Sequence, residues 1–380
     1  MTPAQPQPPL VTDARLPAKT PFSIVDLFAG PGGLDVAADV LGIPVTGIEW
    51  DEGACATRGR AGLETVPGDV RKSRPADFPN ANVLTGGPPC QTFTVAGHGA
   101  GRRALDDVLK FVQRLVDRDK PSNIDLDLAE MEDERTGLVL EPLRWALEAI
   151  DDPALRPYEA IVLEQVPAVL PVWEAYAEAL QNEGYAATYG ILRTEEFGVP
   201  QTRRRAVLIA RLGRNNHVEL PTPTHHPYRK GVARPTEGAE LGPWKREPWV
   251  TMEDVLPKRP RPFVVISNYG SGGNPKARGE RHSDQPAATV TGKISRNRVV
   301  RNGLDLPRFT PSEAGLLQSF PAAYPWTGRD VAQQIGNAVP PRLAMHVLSA
   351  ALGLGVPTDA ELDRLAKWKP QAVNSEEPRS

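Results

Sequence analysis

The chain is short of cysteine, of unbroken apolar runs and of charge of one sign, and each shortage excludes a class of protein. Only Cys55 and Cys90 occur in 380 residues, so neither a disulfide framework nor a cysteine-rich zinc site can be built. No apolar run approaches membrane-span length, and the N-terminal stretch lacks the apolar core of a signal peptide. The expectation is a soluble, cytoplasmic protein with no membrane partner and no metal. A formal net charge of −3 excludes a globally basic coat protein for nucleic acid, but not a local basic cleft. Proline is plentiful instead, with 40 residues, several of them in the first and last twenty positions. Residues 1–20 and 356–380 are therefore expected to be disordered tails. A chain of this length can bury a full core and is expected to hold one large and one smaller domain.

The most informative stretch is Gly86-Gly87-Pro88-Pro89-Cys90-Gln91-Thr92-Phe93-Thr94. It follows the apolar run Ala81–Thr85, which reads as a buried parallel strand. Two glycines and two prolines end that strand and stiffen the backbone. They leave Cys90 at the start of a loop rich in glycine (Gly97, Gly99, Gly101). A thiol presented there suits a nucleophile, and it equally suits a small buried hydrophobe. The stretch alone does not decide between them.

Upstream, Phe22–Phe28 reads as a first buried strand, ending in Ala29-Gly30-Pro31-Gly32-Gly33. A helix over 34–41 and a strand over 45–48 follow, the latter ending in Glu49-Trp50-Asp51. Strand, glycine-rich turn, helix, strand and acid some 20 residues on form the start of a doubly wound α/β unit. There the glycines admit a ligand to the backbone at a helix N-terminus, and the acid takes ribose hydroxyls. Asp69 stands where a third strand would end, beside an adenine or simply capping a turn.

Further along, 102–116 and 139–150 show helical spacing. Residues 117–134 are acidic and read as an exposed loop or an insertion. The strand 158–163 runs into Glu164-Gln165-Val166-Pro167, which places a second reactive side chain at a strand end. A helix over 171–183, a strand over 186–192 and a strand over 206–210 follow. The last is entered through Gln201-Thr202-Arg203-Arg204-Arg205, where strand alternation puts Arg203 and Arg205 on one face. Two adjacent guanidinia suit a phosphate or a carbonyl-bearing base; a solvated basic edge is the alternative.

From about 212 the pattern turns irregular. Residues 276–308 hold eight Lys/Arg against three Asp/Glu, a net of +5 in an acidic chain, which is the footprint of a nucleic-acid cleft or a solvated charged face. The expected division is a catalytic, cofactor-binding unit over 21–211 and a smaller, mostly β unit over 212–325. A segment over 326–355 then returns to the first unit.

Taken in order, these stretches resemble the DNA (cytosine-5) methyltransferase family. The matching pieces are Asp26–Gly33, Glu49-Trp50-Asp51, Gly68-Asp69-Val70, Gly87-Pro88-Pro89-Cys90-Gln91, Glu164-Gln165-Val166 and Gln201–Arg205. They continue with Arg281-His282-Ser283, Ala288–Thr291 and Gln334–Val339. The resemblance spans about residues 22–352. It implies a Rossmann-like domain binding S-adenosylmethionine, a second, smaller target recognition domain, and double-stranded DNA as partner. A restriction endonuclease as functional companion and a monomeric state are further expectations. It implies Cys90 as nucleophile, Glu164 as the acid at the ring nitrogen, and Arg203 and Arg205 as supports at a flipped base. Phe28, Ala29, Gly30, Gly33, Glu49, Trp50, Asp69, Val70, Pro89 and Asn337 would lie near the cofactor. Gln91, Arg281, Thr289, Thr291, Arg296 and Arg298 are the candidates for DNA contact. Two features depart from the family: Gln165 stands where it usually has Asn, and the acidic stretch is longer than its usual loop. An RNA-methylating branch of the same family and a catalytically silent DNA-binding homologue are the rival readings. A nicotinamide-dependent dehydrogenase would leave Pro-Pro-Cys-Gln and the arginine strand unexplained.

Overall fold

A computed structural model of the chain describes residues 20–89, 100–129, 134–236, 245–267 and 279–370. Its centre is a seven-stranded sheet. Strands β1 (Ile24–Leu27), β2 (Val45–Glu49), β3 (Thr65–Pro67), β4 (Val83–Gly86) and β5 (Ala160–Gln165) lie parallel. Strands β6 (Tyr185–Arg193) and β7 (Arg204–Leu212) complete it, with β7 antiparallel to both β5 and β6. The order is β3-β2-β1-β4-β5-β7-β6. The chain therefore builds outward from β1 in one direction, then restarts at β4 in the other. The crevice where the direction switches, outside the carboxyl ends of β1 and β4, is where ligands of open α/β sheets bind.

Both faces of the sheet are covered, so its central strands are largely apolar rather than alternating, with Asp26 of β1 and Thr85 of β4 buried and hydrogen-bonded to each other at 2.6 Å. All four residues of β1 are buried. On one face α3 (Ala100–Val116), α5 (Glu141–Asp151) and α6 (Leu170–Asn182) pack Val108, Val112, Trp145 and Trp173 against Val25, Leu27, Leu84 and Leu163. On the other face α1 (Gly33–Val40) and α10 (Pro341–Leu352) cover Ile24, Val83, Ala160 and Val162. Helix α2 (Glu52–Ala61) connects β2 to β3.

A second, four-stranded antiparallel sheet is formed by β8 (Val264–Ile266), β9 (Glu280–His282), β10 (Arg298–Arg301) and β11 (Leu304–Leu306), in the order β11-β10-β8-β9. It has its own core around Phe263, Val265, Val290 and Val299, with Met252 from the short α7 (Met252–Val255). Leu317 of α8 (Pro311–Leu317) and Ile335 of α9 (Val331–Asn337) join that core.

Two sequence expectations are corrected here. The acidic stretch 117–134 is not simply a loop, because it contains α4 (Pro121–Ala129). Ile124 of α4 is buried, and Arg114 of α3 pairs with Asp119 and Asp127 at 2.7 and 2.5 Å. Leu128 of the same helix packs partly buried against that core, and the surrounding charges mask this short apolar face. The end of the chain is likewise not tail from 356 onward. Residues Asp359–Ala366 form α11, whose Thr358 hydroxyl caps it from Glu361 N. Leu365 and Trp368 are buried, and the Trp368 indole donates to Asp39 of α1 at 2.6 Å.

Candidate active site

One side of the crevice starts where β1 ends. Phe28, Gly30 and Gly32 all take positive φ, at 60°, 56° and 98°. Glycine accepts this freely, but a bulky aromatic does so only when its surroundings hold it. The turn leads into α1 at Gly33, where an added Cβ would lie 2.0 Å from the Val339 carbonyl oxygen, so the loop after α9 seals the base of the turn. Glu49, at the end of β2, accepts from Gly30 N at 2.7 Å, Trp50 N at 2.9 Å and Asp51 N at 2.7 Å. Burial pushes its carboxyl pKa up, against the pull of those amides. Trp50 leaves 72% of its surface open, an uncovered aromatic plane beside a carboxylate, which suits a nucleoside. Asp69 follows β3, accepts Arg71 N at 3.0 Å and forms a two-pronged pair with the Arg71 guanidinium. Here it is the capping residue of its turn, and Val70 beside it is buried. Asn337, exposed at the end of α9, accepts from Gln333 Nε2 at 2.8 Å.

The chemical side of the crevice is set by three neighbouring strands. At the end of β4, Gly87 N bonds to Leu27 O at 3.3 Å, and Pro88 is buried. Cys90 and Gln91 lie outside the described residues, as does the glycine-rich stretch over 90–99; Pro89 is the last residue before them. On β5, Gln165 donates through Nε2 to Pro88 O and accepts from Val166 N through Oε1. The side chain that departs from the family's Asn therefore braces the proline turn two residues before the cysteine. Glu164 and Val207 are paired across β5 and β7. Arg205, two residues from Val207 and so on its face, brings Nε to 2.6 Å from Glu164 Oε1, with both side chains mostly buried. That contact is a close charge pair rather than a linear hydrogen bond, since Glu164 Oε1 has no hydrogen-bond partner among the described residues.

A family model described as C-5 cytosine-specific DNA methylase matches residues 22–125 and 130–352. The chain belongs to that family. It is 26% identical over 367 residues to the Type II methyltransferase M1.HphI of Haemophilus parahaemolyticus, covering 87% of each chain. It is 25% identical over 358 residues to the Type II methyltransferase M.NgoFVII of Neisseria gonorrhoeae, covering 87% of this chain and 86% of that one. Among solved structures, the S. pombe Dnmt2 methyltransferase superposes with a TM-score of 0.54 at 18% identity, over 88% of this chain and 99% of that one. Enzymes of this family depend on S-adenosylmethionine, and an exposed Trp50 beside a strand-end carboxylate and an open glycine turn fits its adenosine half.

Within this C-5 methylase fold, Arg203 differs from the sequence expectation. It precedes β7, is 2% exposed, and turns its guanidinium to backbone carbonyls rather than to the crevice mouth with Arg205. Its Nη1 donates to Val290 O at 2.9 Å, and its Nη2 donates to Gly336 O at 2.9 Å and Ala338 O at 3.3 Å. Burial, and then the neighbouring Arg205, work against its charge. Gln201 does related work, donating to Leu317 O and accepting from Val290 N, both at 2.9 Å. Gln318 extends this net by donating to Ile335 O at 2.6 Å. Sequence reading missed Gln318, which carried no local signal. Gln201 was quoted only as part of its motif, although a buried amide in an arginine run was the available sign.

The proposed DNA-contacting residues divide in the same way. Thr289 donates its hydroxyl to Thr202 O at 2.7 Å, so it joins two stretches of backbone. Thr291 accepts from Lys293 N at 3.3 Å, at a point where an added Cβ on Gly336 would lie 2.4 Å from its carbonyl carbon. Arg281 lies over the Tyr228 ring at 5.5 Å. Arg296 and Arg298 are exposed, and Arg298 pairs with Asp305 at 2.9 Å. An exposed pair of this kind is weak and open to exchange for a phosphate.

Proposed function

We propose that the chain transfers the methyl group of S-adenosylmethionine to C5 of a cytosine within a specific site in duplex DNA. The observation that carries this reading is the meeting of the Glu164–Arg205 pair with the Gln165-braced Pro88–Pro89 turn. Both stand at strand ends beside the Glu49–Trp50 crevice. A carboxyl group, a guanidinium and the approach to a thiol then share one mouth of the sheet. The Type II names of the bacterial relatives favour DNA over RNA and a restriction–modification setting with a companion endonuclease.

The chemistry requires these groups. Cytosine C5 is too electron-poor to attack a methyl donor. Cys90, as thiolate, adds to C6 while Glu164 supplies a proton or hydrogen bond at N3, and the ring electrons are thereby delivered to C5. Arg205 holds the Glu164 carboxyl in place and balances its charge. The bound cofactor supplies an electrophilic methyl on sulfonium. Loss of the C5 proton then returns electrons to the ring and expels the Cys90 sulfur. Free cysteine is only a few per cent thiolate near neutrality, so the site must favour the anion. The base must leave the duplex to reach this mouth, at a cost of about a few kcal/mol. Arg281, Arg296 and Arg298 are proposed to meet phosphate or base edges. The chain is proposed to work as a monomer.

Expression in a methylation-free host, followed by base-resolution mapping of 5-methylcytosine, tests the reading. One short motif methylated throughout the genome is the expected result. A folded protein that binds S-adenosylmethionine yet leaves DNA unmethylated would overturn the DNA assignment, and host tRNA would then be assayed.

A further inference from the structure

Arg58 of α2 is fully buried and forms a two-pronged ion pair with Asp35 of α1, at 2.6 and 2.9 Å. A guanidinium has five N–H donors, and here each has an acceptor. Besides the two Asp35 oxygens, Nη2 donates to Glu64 O at 2.9 Å and Nε to Thr65 Oγ1 at 2.9 Å. Nη1 also reaches Ala29 O at 3.5 Å, the longest of the set. These acceptors lie in the turn after β1, in the first turn of α1 and at the entry to β3. Arg58 itself rides on the helix that Asp51 caps directly after Glu49 and Trp50. One side chain thus ties the turn after β1 and the start of α1 to the entry of β3, from the helix that follows the Glu49 strand end. The neighbouring strand makes room for it: a Cβ at Gly47 of β2 would lie 2.1 Å from Nη2 and 2.6 Å from Cζ.

The structure assigns Arg58, through Asp35, the role of positioning residue for the S-adenosylmethionine site. It fixes the spacing of the Ala29 turn, the first turn of α1 and the entry of β3 around its own helix, without touching the cofactor. A hydrophobic pair would fill the same space and tends to cost little stability, but it would leave those three backbone segments unlinked. The inference rests on the cofactor site lying in this crevice.

The test is calorimetric titration with S-adenosylmethionine of four proteins: wild type, the double variant Asp35→Leu/Arg58→Met, Arg58→Lys, and Arg60→Met as an exposed control on the same helix. Steady-state KM and kcat are measured alongside. The double variant should fold, bind cofactor on the order of tenfold more weakly, and show a rise in KM well beyond any fall in kcat. Arg58→Lys keeps the charge but can reach at most three of the five acceptors, and should fall between the double variant and wild type. Arg60→Met should match wild type. Wild-type affinity in a folded double variant, or equal losses in KM and kcat, overturns the inference. If the double variant does not fold, unchanged affinity in Arg58→Lys overturns it and a partial loss supports it. Failure of wild type itself to bind S-adenosylmethionine would instead strike the cofactor reading.

Discussion

Arg203 and Arg205 stand two residues apart and are expected to fail in opposite ways when replaced. Arg203→Met removes the donor shared by the Val290, Gly336 and Ala338 carbonyls. Each buried acceptor left unmatched costs about 1–3 kcal/mol. Release of a desolvated guanidinium, itself worth several kcal/mol, offsets part of that loss. A net destabilisation of roughly 3 kcal/mol follows. With an unfolding entropy of about 2 cal/mol/K per residue, a chain of 380 residues would lose about 4 °C in melting temperature. Arg205→Met also costs stability, because the mostly buried Glu164 loses its ion partner, but its larger effect is expected on turnover. It strips the charge from beside the proposed proton donor, and kcat should fall by roughly a hundredfold or more. Differential scanning calorimetry and single-turnover methyl transfer, run on both variants, separate the two roles. An Arg203→Met protein with wild-type melting and abolished turnover would refute the assignment of Arg203 to the framework.

Four further outcomes are expected. Cys90→Ser should abolish turnover while binding of DNA and cofactor persists; turnover near wild type would remove the nucleophile assignment. Glu164→Gln should slow methyl transfer much more than it weakens cofactor binding, and equal losses in both would indicate a structural role. Gln165→Leu takes away the brace on Pro88 and should lower kcat by roughly ten- to a hundredfold with unchanged cofactor affinity, so an unaffected kcat would argue against the brace. Burial, then Arg342 and other neighbouring cations, hold His225 and His346 down to about 3. Between about 6.5 and 3 the unfolded chain then binds more protons than the folded one, and stability falls as pH falls. Asp26, raised to about 7 mainly by burial, acts in the opposite sense, favouring the folded state less as pH rises from about 4 to 7. His346→Phe should flatten the acid slope of melting temperature against pH, and an unchanged slope would show that His346 does not supply it.

Much of the crevice was legible before any coordinates because its chemistry sits at strand ends. Buried parallel strands show as short apolar runs, and the side chain that breaks each run marks the mouth of the sheet. Glu49 and Glu164 were singled out this way, and both stand near the ends of their strands; Cys90 was singled out on the same ground and lies outside the described residues. Longer-range partners leave no such trace. Strand alternation put Arg203 and Arg205 on one face; Arg205 meets Glu164, whereas Arg203 is taken up by three carbonyls from 290, 336 and 338 that nothing local announces. Asp35 sits among Leu34, Val36 and Ala37, and a lone acid in an apolar helix run was the available sign of a buried partner. Helix α4 was missed because its inward face is short, with Ile124 and the partly buried Leu128 set among charges. Helix α11 was missed because proline and charge around it imitate a tail.

The stapling of α11 onto α1 bears on how this protein should be cut and tagged. The family match ends at residue 352, and an expression clone trimmed there would look complete by similarity. It would discard Leu365 and Trp368, exposing the Tyr324 ring that lies 5.8 Å from the indole. Tyr324 also hydrogen-bonds to Pro31 O inside the glycine turn. A shortened protein would therefore show weakened cofactor binding and a sticky new surface, and a purification handle belongs after residue 370 or at the other terminus.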